Sequence, residues 1–262
     1  MHSKNKLTEY LLQKKNNNEP IIVAYLPALY PNKESSKRWI KLLLNNGVDA
    51  VELGYPSEKP EMDGKLISEA HQHIYENGFE TEMYNRLVKE LISEMRFNRL
   101  IAMGYWHQIK KEFLEKFKDV WKDMGLTSMI FPDLEDQKMT KDLRKNGFSI
   151  IPFIDSKEKI KDYKPGNEPF IYCPTYLGKT GQSSEINKEF LKGLKNSLDN
   201  SRLKNKPHLA GFGISSGKDA RQVIELGFDG IIVGSAFLEK FNHSEEQAMS
   251  LLEELKRNID KE

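Results

Sequence analysis

The chain alternates between two kinds of stretch. Long polar segments carry apolar residues every three or four positions, and short β-branched runs follow them behind a glycine. Gly47 precedes Val48-Asp49-Ala50-Val51-Glu52-Leu53-Gly54, and Gly227 precedes Phe228-Asp229-Gly230-Ile231-Ile232-Val233-Gly234. The two segments align position for position. Weaker copies follow Gly125 and Gly147, whereas the polar stretch behind Gly78 gives no strand. A glycine just past a helix lets the chain leave in a left-handed turn. A run apolar on both parities suits a parallel strand covered on both faces. The polar segments show the matching helical period, with Ile40, Leu43 and Leu44 on one face and Ala220, Val223 and Ile224 on another.

Strands are expected at 20–26, 48–53, 99–103, 127–131, 149–154, 169–173, 208–212 and 230–233, with a helix at 6–14 ahead of the first. Parallel crossovers of one hand either close such a series into a barrel or wind it into an open sheet. Eight units in a chain of 262 residues favour the barrel. The expected fold is therefore α/β, a (β/α)₈ TIM barrel with an extra N-terminal helix, forming a single domain over residues 1–262.

Composition narrows the setting. Charged residues make up 30% of the chain, yet the formal net charge is +1, so there is no basic footprint for nucleic acid or a membrane surface. The single cysteine, Cys173, allows no internal disulfide and fits a reducing compartment. No apolar run approaches the roughly 18 residues of a membrane span, and residues 1–18 lack an apolar signal core. A cytoplasmic protein is expected.

In such a barrel the chemistry gathers at the C-terminal ends of the strands. Glu52 stands there, where the aligned repeat has Ile232. A carboxylate in an apolar strand is costly unless it is paired or functional. Either it is a bonded strand-end group, or it is an acid–base group with a raised pKa. The following loop, 54–64, is stiffened by Pro56 and Pro60 and carries Asp63 just before Gly64. Asp63 is a candidate functional carboxylate and equally a candidate helix N-cap. Gly211-Phe212-Gly213-Ile214-Ser215-Ser216 and Gly234-Ser235-Ala236 end successive strands. Such glycines let backbone N–H groups approach an anion at helix N-termini, although each alone could simply make a turn. Ser216 and Asp219 form a capping-type pair. Gly178-Lys179-Thr180-Gly181 is a candidate lid or an ordinary surface loop. Among the six histidines, His71 and His73 are two apart and share no helix face, and no metal cluster emerges. Strand six has no Schiff-base lysine, and Cys173 fits a small core position.

Taken together, these segments resemble the tryptophan synthase α subunit family. The motif Val51-Glu52-Leu53-Gly54-Tyr55-Pro56 with Asp63-Gly64, then Pro132-Asp133-Leu134, Thr180-Gly181, Gly211-Phe212-Gly213-Ile214-Ser215 and Gly234-Ser235-Ala236, fall in family order from about Pro20 to Phe237. The resemblance implies a lyase that cleaves indole-3-glycerol phosphate to indole and glyceraldehyde 3-phosphate. Glu52 would be its general acid/base, and Asp63 would hold the indole N–H. Tyr25 and Tyr172 would line the substrate pocket, and Thr180 would order the lid. Gly181, Gly213, Gly234 and Ser235 would form the phosphate cradle, and Gly211 and Phe212 would belong to the substrate-binding set beside it. No cofactor or metal is implied in this chain; pyridoxal phosphate belongs to a β-subunit partner in an α₂β₂-type complex. The chain departs from the family at Ser57, Glu58, Lys59 and Met62, and Lys59 reverses a charge where the family meets its partner. Gly104 also follows Met103, which moves the aromatic to Tyr105. Two further readings stay open: a catalytically weak relative acting as a partner or regulatory subunit, and another phosphate-binding barrel enzyme, for which Asp155 would be a candidate acid.

Overall fold

The computed structural model describes residues 5–175 and 186–260. Among these, eight parallel strands form one sheet: β1 (Ile21–Pro27), β2 (Ala50–Gly54), β3 (Leu100–Met103), β4 (Ser128–Ile130), β5 (Ser149–Ile151), β6 (Ile171–Pro174), β7 (His208–Gly211) and β8 (Gly230–Val233). The ladder runs β5-β4-β3-β2-β1-β8-β7-β6. Its two ends meet through a parallel bridge between Phe153 and Tyr172. There the Ile154 N–H donates to the Tyr172 carbonyl at 2.8 Å, and the Tyr172 N–H donates to the Pro152 carbonyl at 3.0 Å. The sheet is a nearly closed barrel. The expected fifth strand, 149–154, stops as a regular strand at Ile151. Pro152 has no N–H to continue the ladder, so closure is left to the bridge beyond it.

Helices α1 (Lys6–Asn16), α2 (Lys33–Asn45), α3 (Lys65–Glu76), α4 (Thr81–Ser93), α5 (Trp106–Glu112), α6 (Lys118–Asp123), α7 (Gln137–Lys145), α8 (Lys157–Asp162), α9 (Lys188–Asp199), α10 (Gly217–Glu225), α11 (Ser235–His243) and α12 (Glu245–Ile259) connect or flank the strands. A π-helical turn, Phe113–Phe117, joins α5 to α6. Gly47 and Gly227, the glycines of the aligned repeat, take φ of +106° and +89°, the left-handed exits expected from their positions. The stretch behind Gly78 becomes α4 instead of a strand, so two helices separate β2 from β3.

Side chains alternate between two packed layers. Ile21, Val23, Ala50, Ile101, Ile130, Ile151, Leu209 and Ile232 fill the barrel interior, while the other parity packs under the helices. Leu7 and Leu11 of α1 belong to the interior layer, so the extra helix closes the N-terminal end of the barrel. Asp49 pins it there, accepting from the Tyr10 hydroxyl (2.6 Å), the Lys14 ammonium (2.7 Å) and the Ile22 amide (2.8 Å). The N-cap Asn5 also donates to the hydroxyls of Ser128 and Ser149. With the bottom closed, the other end of the barrel is left for a ligand.

Candidate active site

The strands deliver their last residues to a cleft at the C-terminal end of the barrel. It holds about 410 Å³ of empty space and is lined by both carboxylates, Glu52 and Asp63, among other groups. Glu52 lies on β2 in register with Tyr25 of β1 and Ile101 of β3. It is 1% exposed. Its Oε1 finds no hydrogen-bond partner among the described residues. The bonded strand-end alternative is therefore not what the structure places at this atom. Burial alone pushes its carboxyl well above the usual carboxylate range. Burial therefore favours the protonated form of this side chain, which faces the cleft. Ile232, its counterpart in the repeat, lines the same cleft from β8.

Asp63 approaches from the loop after β2. It does not cap α3, because Gly64 occupies the N-cap position. Its Oδ2 instead accepts from the Tyr105 hydroxyl at 2.8 Å. Tyr105 in turn accepts from the Met62 amide at 2.9 Å, which fixes the loop against the end of β3. The Gly104 shift thus still delivers an aromatic hydroxyl to Asp63.

Tyr25 and Tyr172 both line the cleft. Each leans over a glycine of the next strand. A Cβ on Gly54 would strike the Tyr25 hydroxyl, and one on Gly211 would strike the Tyr172 hydroxyl. Gly211 thus sits behind Tyr172 and is not among the cleft-lining residues; its missing side chain makes room for a tyrosine.

Phe212, Gly213, Gly234 and Ser235 do line the cleft. Phe212 and Gly213 take φ of +76° and +67°, turning the chain sharply after β7. The Thr175 hydroxyl donates to the Phe212 carbonyl and holds that turn. Two helices begin nearby. The first is already occupied: the Ser216 hydroxyl accepts from the Asp219 amide at 3.3 Å, and Glu254 accepts from the Gly217 amide at 2.6 Å. The second, α11, starts at Ser235 with no side-chain cap. Its first-turn amides and positive dipole end favour an anion at this wall of the cleft.

Thr180 and Gly181, with the candidate lid, lie outside the described residues. Asp155 pairs with Lys159 at 2.9 Å and does not line the cleft. Lys59 is exposed on the loop after β2. Among the described residues, no group of three or more metal-ligating side chains comes together, and no helix is long and apolar enough to cross a membrane.

Sequence reasoning assigned none of Ile67, Met103, Ile214 and His71 to the site. The first three line the cleft. His71 is 2% exposed and lies behind it, with Nε2 3.2 Å from the Tyr25 hydroxyl. A signal was present: Ile67, Ala70, His71 and Ile74 make one buried face of α3, and a histidine there breaks the apolar pattern.

This is a parallel α/β barrel whose cleft joins a buried acid, a second carboxylate and an open helix N-terminus, an arrangement suited to a phosphorylated substrate. A sequence profile described as tryptophan synthase alpha chain matches residues 11–262, and the chain belongs to that family. The tryptophan synthase alpha chain of Methanosarcina acetivorans is 30% identical, covering 98% of this chain and 95% of its own length. That of Petrotoga mobilis is 31% identical over 92% and 93%. In three dimensions, a structure of Mycobacterium tuberculosis tryptophan synthase superposes with a TM-score of 0.84 at 24% identity, covering 99% of this chain and all (100%) of the matched one. An Aquifex aeolicus structure gives 0.82 at 26% identity, with 98% and 100% coverage.

Proposed function

We propose that this chain is an indole-3-glycerol-phosphate lyase of tryptophan biosynthesis, producing indole and glyceraldehyde 3-phosphate by retro-aldol cleavage. The observation that carries the assignment is Glu52, buried with its Oε1 unpartnered among the described residues and facing the same cleft as Asp63. The reaction needs an acid first and a base second. Neutral Glu52 gives its proton to C3 of the indole, which leaves a cation shared with the ring nitrogen. Asp63, held by Tyr105, accepts the ring N–H and stabilises that cation. The Glu52 carboxylate then takes the proton of the side-chain hydroxyl. As the carbonyl forms, the C–C bond breaks and its electron pair returns to the ring. Glu52 ends protonated, ready for the next cycle, so a raised pKa is the state the cycle requires.

The phosphate is placed at Gly213, Gly234 and Ser235, against the first turn of α11. Tyr25 and Tyr172 flank the ring. These steps use side chains of this chain alone and call for no metal or organic cofactor. A pyridoxal-phosphate β subunit, in an α₂β₂-type complex, is the expected recipient of the indole. A cytoplasmic setting fits such an enzyme.

The test is direct. Purified chain is mixed with indole-3-glycerol phosphate, without β subunit, and indole is measured by colour or absorbance. Slow but definite turnover that disappears in Glu52→Gln is expected. A folded chain that binds the substrate and releases no indole, alone or with a β subunit, would leave only a regulatory role.

A further inference from the structure

We infer that His71 is a positioning residue for the cleavage, acting through Tyr25; this inference rests on the lyase reading above. The imidazole lies between the loop that carries Asp63 and the strand that carries Tyr25. On one side, the backbone N–H of Ser57 donates to His71 Nδ1 at 3.2 Å. A backbone amide can only donate, so Nδ1 is the unprotonated nitrogen of a neutral ring. The proton therefore sits on Nε2. Burial supports neutrality, since it lowers the His71 pKa to about 4.

On the other side, Nε2 is 3.2 Å from the Tyr25 hydroxyl. With the tautomer fixed by Ser57, Nε2–H must donate and the Tyr25 oxygen must accept. That bond sets the phenol's rotor, because one lone pair is now taken and the hydroxyl proton has to point away from His71. The ring is confined as well. Its hydroxyl end packs over Gly54, and its near edge lies where a Cβ on Gly234 would be only 3.2 Å from Cδ1. Tyr25 thus spans the cleft from β2, beside Glu52, to the start of α11 where the phosphate is placed. A tyrosine in this position sets the distance between the reacting carbon and the phosphate wall.

The same arrangement protects Asp63. Its Oδ2 is 3.9 Å from His71 Nε2. A protonated histidine there would pair with Asp63 and cancel the charge needed at the ring nitrogen. A neutral histidine, with its one remaining proton committed to Tyr25, leaves that charge in place. The line continues outward. The Ser57 hydroxyl donates to Gln108 Oε1 at 2.7 Å, and Gln108 Nε2 donates to the Lys59 carbonyl at 2.8 Å. Tyr25 is thereby tied, through His71 and Ser57, to the exposed part of the loop.

Two substitutions separate the two bonds. His71→Asn keeps an acceptor at the Nδ1 position for Ser57 but cannot reach Tyr25. His71→Gln keeps a donor at the Nε2 position but gives up the Ser57 contact. The full chain is assayed for indole release from indole-3-glycerol phosphate, with kcat and KM determined separately and the melting temperature recorded on the same preparations. His71→Asn should lower kcat by roughly tenfold to a hundredfold, the range expected when a reacting centre is misplaced, with little change in KM. His71→Gln should recover most of that turnover. Tyr25→Phe should show a similar loss, and combining it with His71→Asn should cost little more. Losses that multiply in the double variant, or that follow the melting temperature, would overturn the inference and leave His71 as a packing residue. The tautomer is checked independently of turnover by ¹⁵N shifts of the His71 ring in the wild-type chain; a proton on Nδ1 would also overturn it. If the wild type releases no indole, alone or with a β subunit, the lyase reading falls and takes this inference with it. An active wild type with normal His71→Asn kinetics removes only the inference.

Discussion

Glu52 is where a single side chain decides both stability and chemistry. Its folded-state pKa is raised, so its contribution to stability is fully present below the unfolded pKa and is lost as pH rises through the folded one. Between those two values the unfolded chain releases a proton that the folded chain keeps. Each pH unit in that window costs about 1.4 kcal/mol. Glu52→Gln removes this penalty while preserving shape. Urea unfolding at pH 5 and pH 7.5 should therefore show the variant gaining on the wild type at the higher pH. Turnover should move the opposite way, falling about 10²–10⁴-fold. A variant less stable at neutral pH with normal turnover would return Glu52 to a merely structural role. Asp63→Asn should also be severely impaired, and the two losses should be less than additive because both groups serve one transition state. Glu52 was legible in the sequence because a carboxylate interrupted an apolar strand at a position where the repeat has Ile232. Asp63 was legible through the motif around it, with its capping alternative open. For His71 the sequence shows only a break in the apolar face of α3; its role depends on β1 and α3 meeting across 46 positions of sequence. Gly211 was read as part of an anion cradle, but its lack of a side chain serves Tyr172.

At the scale of elements, the two ends of the barrel do different work. All eight strands were legible because each is largely apolar on both parities, with glycine marking the start of several. What the pattern could not supply was long-range closure: β5 ends early at Pro152, and the β5–β6 seam is one bridge whose register no local signal encodes. The division between the ends gives a paired test. At the closed end, Asp49→Ala would strand Tyr10, Lys14 and the Ile22 amide, and α1 would lose its anchor. Breaking a buried pair costs about 3–5 kcal/mol, and the lower end applies here because Lys14 keeps some contact with water. Denaturant unfolding should show that loss, with kcat and KM per folded molecule unchanged. At the open end, Gly213→Ala meets a backbone held at φ +67°. The strain is about 1–3 kcal/mol, and relaxing it would turn the loop away from the phosphate wall. KM for the phosphorylated substrate should rise clearly in the folded variant. An unchanged KM would remove Gly213 from the phosphate site. A kinetic defect in Asp49→Ala at full folding would mean that the two ends are coupled.

At the scale of the whole molecule, the question is how a chain of nearly balanced charge meets a partner. A net charge of +1 gives little overall attraction to a partner, so local charges such as those on the 57–62 loop, which the family resemblance puts at the partner contact, set the selectivity. Lys59 is such a charge. It is exposed, and its ammonium makes no ion pair among the described residues. Its backbone is held, since its amide donates to the Ser57 hydroxyl at 3.2 Å and its carbonyl accepts from Gln108. The loop cannot simply swing the charge away without breaking the contacts that also steady Ser57. We therefore expect poor coupling to the β subunit of a typical family member, because Lys59 carries the opposite sign to the residue that the family resemblance puts at this position. Like charges brought together at an interface can cost several kcal/mol. Mixing the chain with such a β subunit should give little mutual activation at low salt. Lys59→Asp should improve it, and added salt should narrow the difference between the two chains, because exposed charges are screened within about 10 Å at 0.1 M ionic strength. Strong activation of the unaltered chain at low protein concentration and low salt would sink the idea, as would a Lys59→Asp chain that couples no better. Either outcome would move the determinant of pairing from this charge to the shape of the 57–62 loop.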